Sequence, residues 1–147
     1  MTNQEPSRDA CPDPEMIELL RTARTIAVVG LSPKEDRPAY RVSAYMQAQG
    51  YRIIPVNPLA APVLGEVGYP SLEAIPADIR IDIVNLFRRA EDTPPLAEAS
   101  VRLQARALWL QSGIINETSM EIARSAGLLA VQDRCLMVEH RRLASQL

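Results

Sequence analysis

The residues able to hold a charged ligand gather at four places, each just past an apolar run. Gly30-Leu31-Ser32-Pro33 follows Ile26 to Val29, with Lys34, Arg37 and Arg41 close behind. Val56-Asn57-Pro58 follows Ile53-Ile54. Phe87-Arg88-Arg89 follows Ile83 to Leu86, and Gln111-Ser112-Gly113 follows Ala107 to Leu110. Gly30 lets the chain turn with no Cβ in the way. Ser32 offers a small hydroxyl to an oxygen ligand, and Pro38 suits the first turn of a helix because its missing N–H costs nothing there. A strand that turns through glycine into a helix leaves backbone N–H groups at a positive helix end, which suits phosphate; the other reading is a plain strand-to-helix turn. Cations at the rim suit a ligand with several phosphates. The expected ligand is of nucleotide type.

The remaining positions admit two readings each. Asn57-Pro58 could hold a base or ribose, or simply turn the chain. Phe87 and Arg88 could stack on adenine, or Phe87 could plug the sheet end. The amide of Gln111 and the bare backbone of Gly113 suit a ligand chain passing close by. Lys34, the only lysine, could meet phosphate or be a solvated charge balanced by Glu35 and Asp36. Trp109 lies in an apolar run and reads as core. Cys135 reads as a buried structural thiol, and His140, the only histidine, as a surface residue in a charged tail. No Ser-His-Asp set, paired carboxylates or metal-ligand spacing is evident, so no catalytic residue and no metal site is assigned. The G-x-G-x-x-G dinucleotide spacing is absent, and Asn57 stands where an acid would bind ribose. A nicotinamide cofactor held in the usual way is disfavoured.

Alternating elements would position these groups. Residues 1 to 12 read as a flexible leader and 13 to 147 as one domain. Asp13 is a candidate N-cap for a first helix with Pro14 at its first position. Strands are expected at 25–31, 51–56, 81–86, 107–110 and 128–131. Helices are expected at 38–49, closed by Gly50, then from Thr93 to about Ala105, from Asn116 to Gly127, and in part of 137–147. Ser71 is expected to cap a short helix over 71–75. Pro55 removes a ladder donor and belongs near a strand end. Such alternation predicts an α/β fold, a doubly wound parallel five-stranded sheet with helices on both faces. Ligands of such sheets sit beyond the carboxyl ends of the strands, at the switch point beside strand one.

Composition narrows the class. A chain of 147 residues that is 47% hydrophobic can bury a real core. Its formal net charge of −2 points to neither nucleic acid nor an anionic membrane surface. Two distant cysteines, Cys11 and Cys135, suit a reducing compartment, and no signal-peptide core or membrane-spanning run is visible; the cytoplasm is expected. The composition leaves room for a homo-oligomer or a protein partner.

Taken together, Val28-Val29-Gly30-Leu31-Ser32-Pro33-Lys34, Asp36-Arg37-Pro38-Ala39-Tyr40-Arg41-Val42, Gly50 to Pro58, Gly65 with Tyr69-Pro70-Ser71-Leu72, Asp82 to Arg89, Trp109 to Gly113 and Asp133-Arg134-Cys135 resemble the small stand-alone CoA-binding-domain proteins. Those are similar to the nucleotide-binding domain of the succinyl-CoA synthetase α subunit. The resemblance spans about residues 15 to 143. It implies a Rossmann-like fold that binds coenzyme A; the loop cations and the missing catalytic set make non-catalytic binding of coenzyme A or an acyl-CoA the first expectation. By position it places the Gly30-Leu31-Ser32-Pro33 turn on the CoA phosphates and Arg37 near them. It places Val56-Asn57-Pro58 near the adenosine and Phe87-Arg88 beside the ligand; Gln111 and Gly113 match the W-x-Q-x-G segment. Leu31 stands where a smaller residue is common and Asn85 where an acid is common. The synthetase's phosphohistidine segment has no counterpart, so ligase activity is not implied. Two other readings remain: an NAD(P)-dependent oxidoreductase on the shared fold, and a regulatory protein with a vestigial pocket.

Overall fold

A computed structural model describes residues 11 to 147; the expected leader lies mostly outside these described residues. The elements run α1 (Asp13–Thr22), β1 (Thr25–Val29), α2 (Pro38–Ala48), β2 (Arg52–Val56), β3 (Ile83–Leu86), α3 (Thr93–Arg102), β4 (Ala107–Leu110), α4 (Glu117–Ser125), β5 (Leu129–Val131) and α5 (Leu136–Leu143). All strand pairs are parallel, in the order β2-β1-β3-β4-β5. The chain moves from β1 to one neighbour, then crosses back to the other side of β1. The switch point therefore lies beside β1, where doubly wound sheets bind ligands.

Alternation along each strand sends side chains to two cores. Ile26, Val28, Ile53, Ile83 and Trp109 pack with Met16, Leu20, Val42, Met46 and Leu136, so α1, α2 and α5 cover one face. Ala27, Val29, Ile54, Val84, Leu86 and Leu108 pack with Ala97, Met120 and Ala123 of α3 and α4 on the other. Near-continuous apolar strands are what a sheet covered on both faces requires.

Pro55 is tolerated because β2 is an edge strand. Its carbonyl accepts from the Tyr69 amide at 3.0 Å, so Pro55 turns outward, away from the ladder with β1. The Tyr69 carbonyl then accepts from the Asn57 amide at 3.0 Å, and the returning chain covers this end of the edge. Ser71 caps a single 3-10 turn, Leu72–Ala74, and Asn116 caps α4 by accepting from the Ser119 amide at 2.8 Å.

Three expectations need correction. Asp13 is not the N-cap of α1; Pro12 is, and the Asp13 carboxylate instead takes two hydrogen bonds from Arg142 of α5. His140 is buried, not on the surface. Because α5 packs on α2, the imidazole meets Tyr45 and Tyr51 edge-on, with its Nδ1 2.9 Å from the Tyr45 hydroxyl. Cys135 is half-buried rather than a core thiol, because it sits at the N-cap of α5 where the chain leaves the sheet.

Candidate functional site

The register builds the site. Val29 pairs with Leu86, and Leu86 with Leu110. One residue further on, Gly30, Phe87 and Gln111 stand side by side at the carboxyl ends of β1, β3 and β4. They continue the row of Val28, Asn85 and Trp109, on the face covered by α2 and α5. There a cavity of about 790 Å³ opens, within the size range of small-molecule and cofactor sites. Gly30, Ser32, Phe87 and Gln111 line its floor, with the starts of α2 and α5 on its flanks.

The turn after β1 is shaped for close approach. Gly30 has φ +94° and donates to the Val56 carbonyl at 2.9 Å, which ends the strand two residues before the expected boundary. The amides of Leu31 and Ser32 have no hydrogen-bond partner among the described residues. Arg37 is the N-cap of α2, and Pro38 fills its first position. The amide of Ala39 is also without a partner, and Ala39 lines the cavity. The α5 start mirrors this, with Cys135 as N-cap and the Met137 amide unpaired. Two positive helix ends thus meet at one cavity, an arrangement that favours an anion.

The charges agree. Lys34, Arg37, Arg41 and Arg88 line the cavity, and no carboxylate among the described residues does. Arg88 lies 3.8 Å from Asp92, and Arg41 donates to the Asp36 carbonyl at 3.0 Å. Lys34 and Arg37 have no side-chain partner among the described residues. The chain as a whole is slightly acidic, so this cluster is a local concentration of positive charge.

The far wall is held by an interlock that joins two of the recognisable segments. Trp109 Nε1 donates to the Arg134 carbonyl at 2.8 Å. The Gly113 amide donates to Asp133 Oδ1 at 2.7 Å, while Asp133 itself has φ +57°. Gln111 Oε1 accepts from the Leu136 amide at 3.0 Å and so caps α5. The W-x-Q-x-G run thereby aims the Asp133-Arg134-Cys135 bend and the start of α5 at the cavity.

Of the sequence-predicted positions, Gly30, Ser32, Lys34, Arg37, Phe87, Arg88 and Gln111 are brought together on the cavity wall. Leu31, Pro33, Val56, Asn57, Pro58 and Gly113 lie off it. Leu31 is fully buried in the core. The Asn57 amide is fully engaged: Nδ2 donates to the Leu31 and Ala61 carbonyls at 3.0 and 3.1 Å, and Oδ1 accepts from the Ala61 amide. Asn57 therefore clamps the turn after β1 to the turn after β2. Val42, Ser112, Ile114, Cys135 and Met137 also line the cavity. Val42, Ser112 and Cys135 lie in segments that carry the family resemblance; Ile114 and Met137 had no sequence signal beyond nearness to a strand end or helix start. No group of potential metal ligands exists among the described residues, and none of their helices is long and apolar enough to cross a membrane.

The sequence pattern of the CoA binding domain matches residues 24–141. The chain belongs to the CoA-binding domain family. Its relatives include the uncharacterized protein YneT of Bacillus subtilis, 42% identical over 126 residues, which are 86% of this chain and 92% of that protein. A hypothetical protein from Pyrococcus horikoshii superposes with a TM-score of 0.89 at 37% identity, covering 98% of this chain and 99% of that one. A dinucleotide-forming acetyl-coenzyme A synthetase of Korarchaeum cryptofilum shares the fold, with a TM-score of 0.68 at 18% identity. That match covers 80% of this chain and 28% of the synthetase. The Rossmann-like family fold and the strand-end cavity are thus found in one chain.

Proposed function

We propose that the protein binds coenzyme A or an acyl-CoA at the carboxyl ends of its parallel strands, as a binding module rather than an enzyme. The observation that carries this reading is the cavity wall: four cations, two helix starts and a glycine turn, with no carboxylate among the described residues. The diphosphate sits on the Gly30-to-Ser32 turn and the start of α2. Arg37 and Lys34 reach the phosphates, with Arg41 and Arg88 completing the positive rim. Phe87 offers an apolar face beside them. From behind the wall, Asn57 clamps the turn after β1 through the Leu31 carbonyl, and Gly113 ties the end of β4 to Asp133. Membership of the CoA-binding domain family supports the choice of ligand.

Calorimetric titration with CoA, acetyl-CoA, NAD and ATP in parallel, at fixed salt, tests the reading. Saturable binding of CoA or acetyl-CoA in preference to NAD and ATP is expected. Preferential NAD binding overturns it in favour of a hydride-transfer enzyme. No binding of any of the four points to a protein partner and a vestigial pocket.

A further inference from the structure

Two features of the far wall are used by neither the phosphate turn nor the cationic rim. Gln111 is 5% exposed and lines the cavity. Its Oε1 is engaged by the Leu136 amide, and its Nε2 has no partner among the described residues. This donor opens onto the cavity, where a ligand acceptor can take its hydrogen bond. Beside it stands Cys135, half-buried on the same wall at the start of α5. Gly30 and Gln111 are two strand spacings apart, about 10 Å. A ligand anchored by phosphates at Gly30 and running along the strand ends meets an amide donor, then a thiol, among the apolar groups of Ile114 and Met137. Coenzyme A has the matching order: a diphosphate, then a pantetheine arm with two amides and a terminal sulfur.

We propose that Cys135 is a site of thiol–disulfide exchange with the disulfide form of coenzyme A, a proposal that rests on the coenzyme A reading above. The Cys135 sulfur, as thiolate, attacks one sulfur of the CoA disulfide. A Cys135–CoA disulfide forms, the original S–S bond breaks, and one CoA leaves as a thiolate that takes up the proton given by Cys135. No further oxidant is needed. Gln111 holds a carbonyl of the arm so that the two sulfurs meet. Cys11 takes no part: it is buried, and burial pushes its thiol up to about 11.

The test is intact-mass spectrometry of the full chain after incubation with CoA disulfide, with calorimetry of desulfo-CoA alongside. One CoA adduct per chain is expected, mapped to Cys135, released by dithiothreitol and absent in Cys135→Ser. Saturating desulfo-CoA, which occupies the cavity but has no sulfur, slows it about tenfold or more; glutathione disulfide, with no phosphates to anchor, reacts slower by a similar factor. The proposal is overturned by no adduct, by an adduct on Cys11, or by rates indifferent to desulfo-CoA or equal for glutathione disulfide. If desulfo-CoA still binds in those cases, the coenzyme A reading survives. If desulfo-CoA does not bind at all, that reading fails and this proposal with it.

Discussion

A Cβ on Gly30 would sit 2.5 Å from the backbone carbonyl oxygen of Phe87. The two residues are neighbours across the β1–β3 boundary, so the space cannot be opened without parting the sheet at the carboxyl ends of its strands. Gly30 also has φ +94°. Gly30→Ala is therefore predicted to destabilise the fold by about 2–4 kcal/mol, combining left-handed strain with overpacking. Gly50 has a similar φ of +101° but open space around its missing Cβ. Gly50→Ala should cost only the conformational part, about 1–2 kcal/mol. Urea unfolding of both variants checks the difference, and equal losses would refute the steric argument.

Arg37 and Asn57 should separate binding from folding. Arg37 is exposed and has no side-chain partner among the described residues. Arg37→Ala is expected to weaken CoA binding by about 1.5–3 kcal/mol, the range for charge-assisted hydrogen bonds, with the unfolding midpoint unchanged. Asn57→Ala leaves the Leu31 and Ala61 carbonyls without their donor. It should lower the stability of the ligand-free protein by about 1–3 kcal/mol and weaken binding as a consequence. Calorimetry and unfolding on the same two variants would sink this division if Arg37→Ala melted early or Asn57→Ala did not.

Gln111→Leu keeps the volume but removes the acceptor that caps α5 at Leu136. A loss of about 1–2 kcal/mol is expected, comparable to losing a helix cap. Hydrogen exchange should localise the effect: amides at the start of α5 lose protection, while those of β1 and β2 keep theirs. Uniform loss across the sheet would show that Gln111 supports the core rather than the helix start.

Burial holds His140 below the usual imidazole pKa. The unfolded chain therefore binds this proton more readily than the folded one. The contribution of neutral His140 is complete above the unfolded value of about 6.5 and is lost as pH falls from there towards the folded value, with a slope of up to about 1.4 kcal/mol per pH unit. The stability of the parent protein should fall more steeply below pH 6.5 than that of His140→Gln. Parallel pH profiles for the two would remove His140 as a source of the acid sensitivity.

The fold was legible because its signals are local and repeated. Apolar runs ending at Gly30, Asn57, Phe87 and Gln111, separated by helical spacing, read as strands and helices without any tertiary knowledge. Boundaries slipped by a residue or two. At Gly30, for example, the bond to Val56 and the positive φ end the strand before Leu31 can join it.

Half of the candidate site followed from the same pattern, since parallel strands deliver their ends to one edge. The rest depended on pairings between distant segments. Asn57 was visible as a polar group after a strand, but only the approach of Leu31 and Ala61 engages its amide within the protein. Cys135 and His140 lie five residues apart on the closing segment, and their sequence readings placed both wrongly. The Trp109 and Gln111 bonds across to residues 134 and 136 turn Cys135 to the cavity, whereas the packing of α5 on α2 turns His140 inward against Tyr45. By itself the sequence determined the α/β order, the strand-end location of the candidate site and its cationic lining, because these reside in residue types and short spacings. Tertiary structure decided which of those groups share one cavity and which serve behind it. That depends on strand order, register and helix packing, which bring together residues from β1, β3, β4 and α5 that no local window contains.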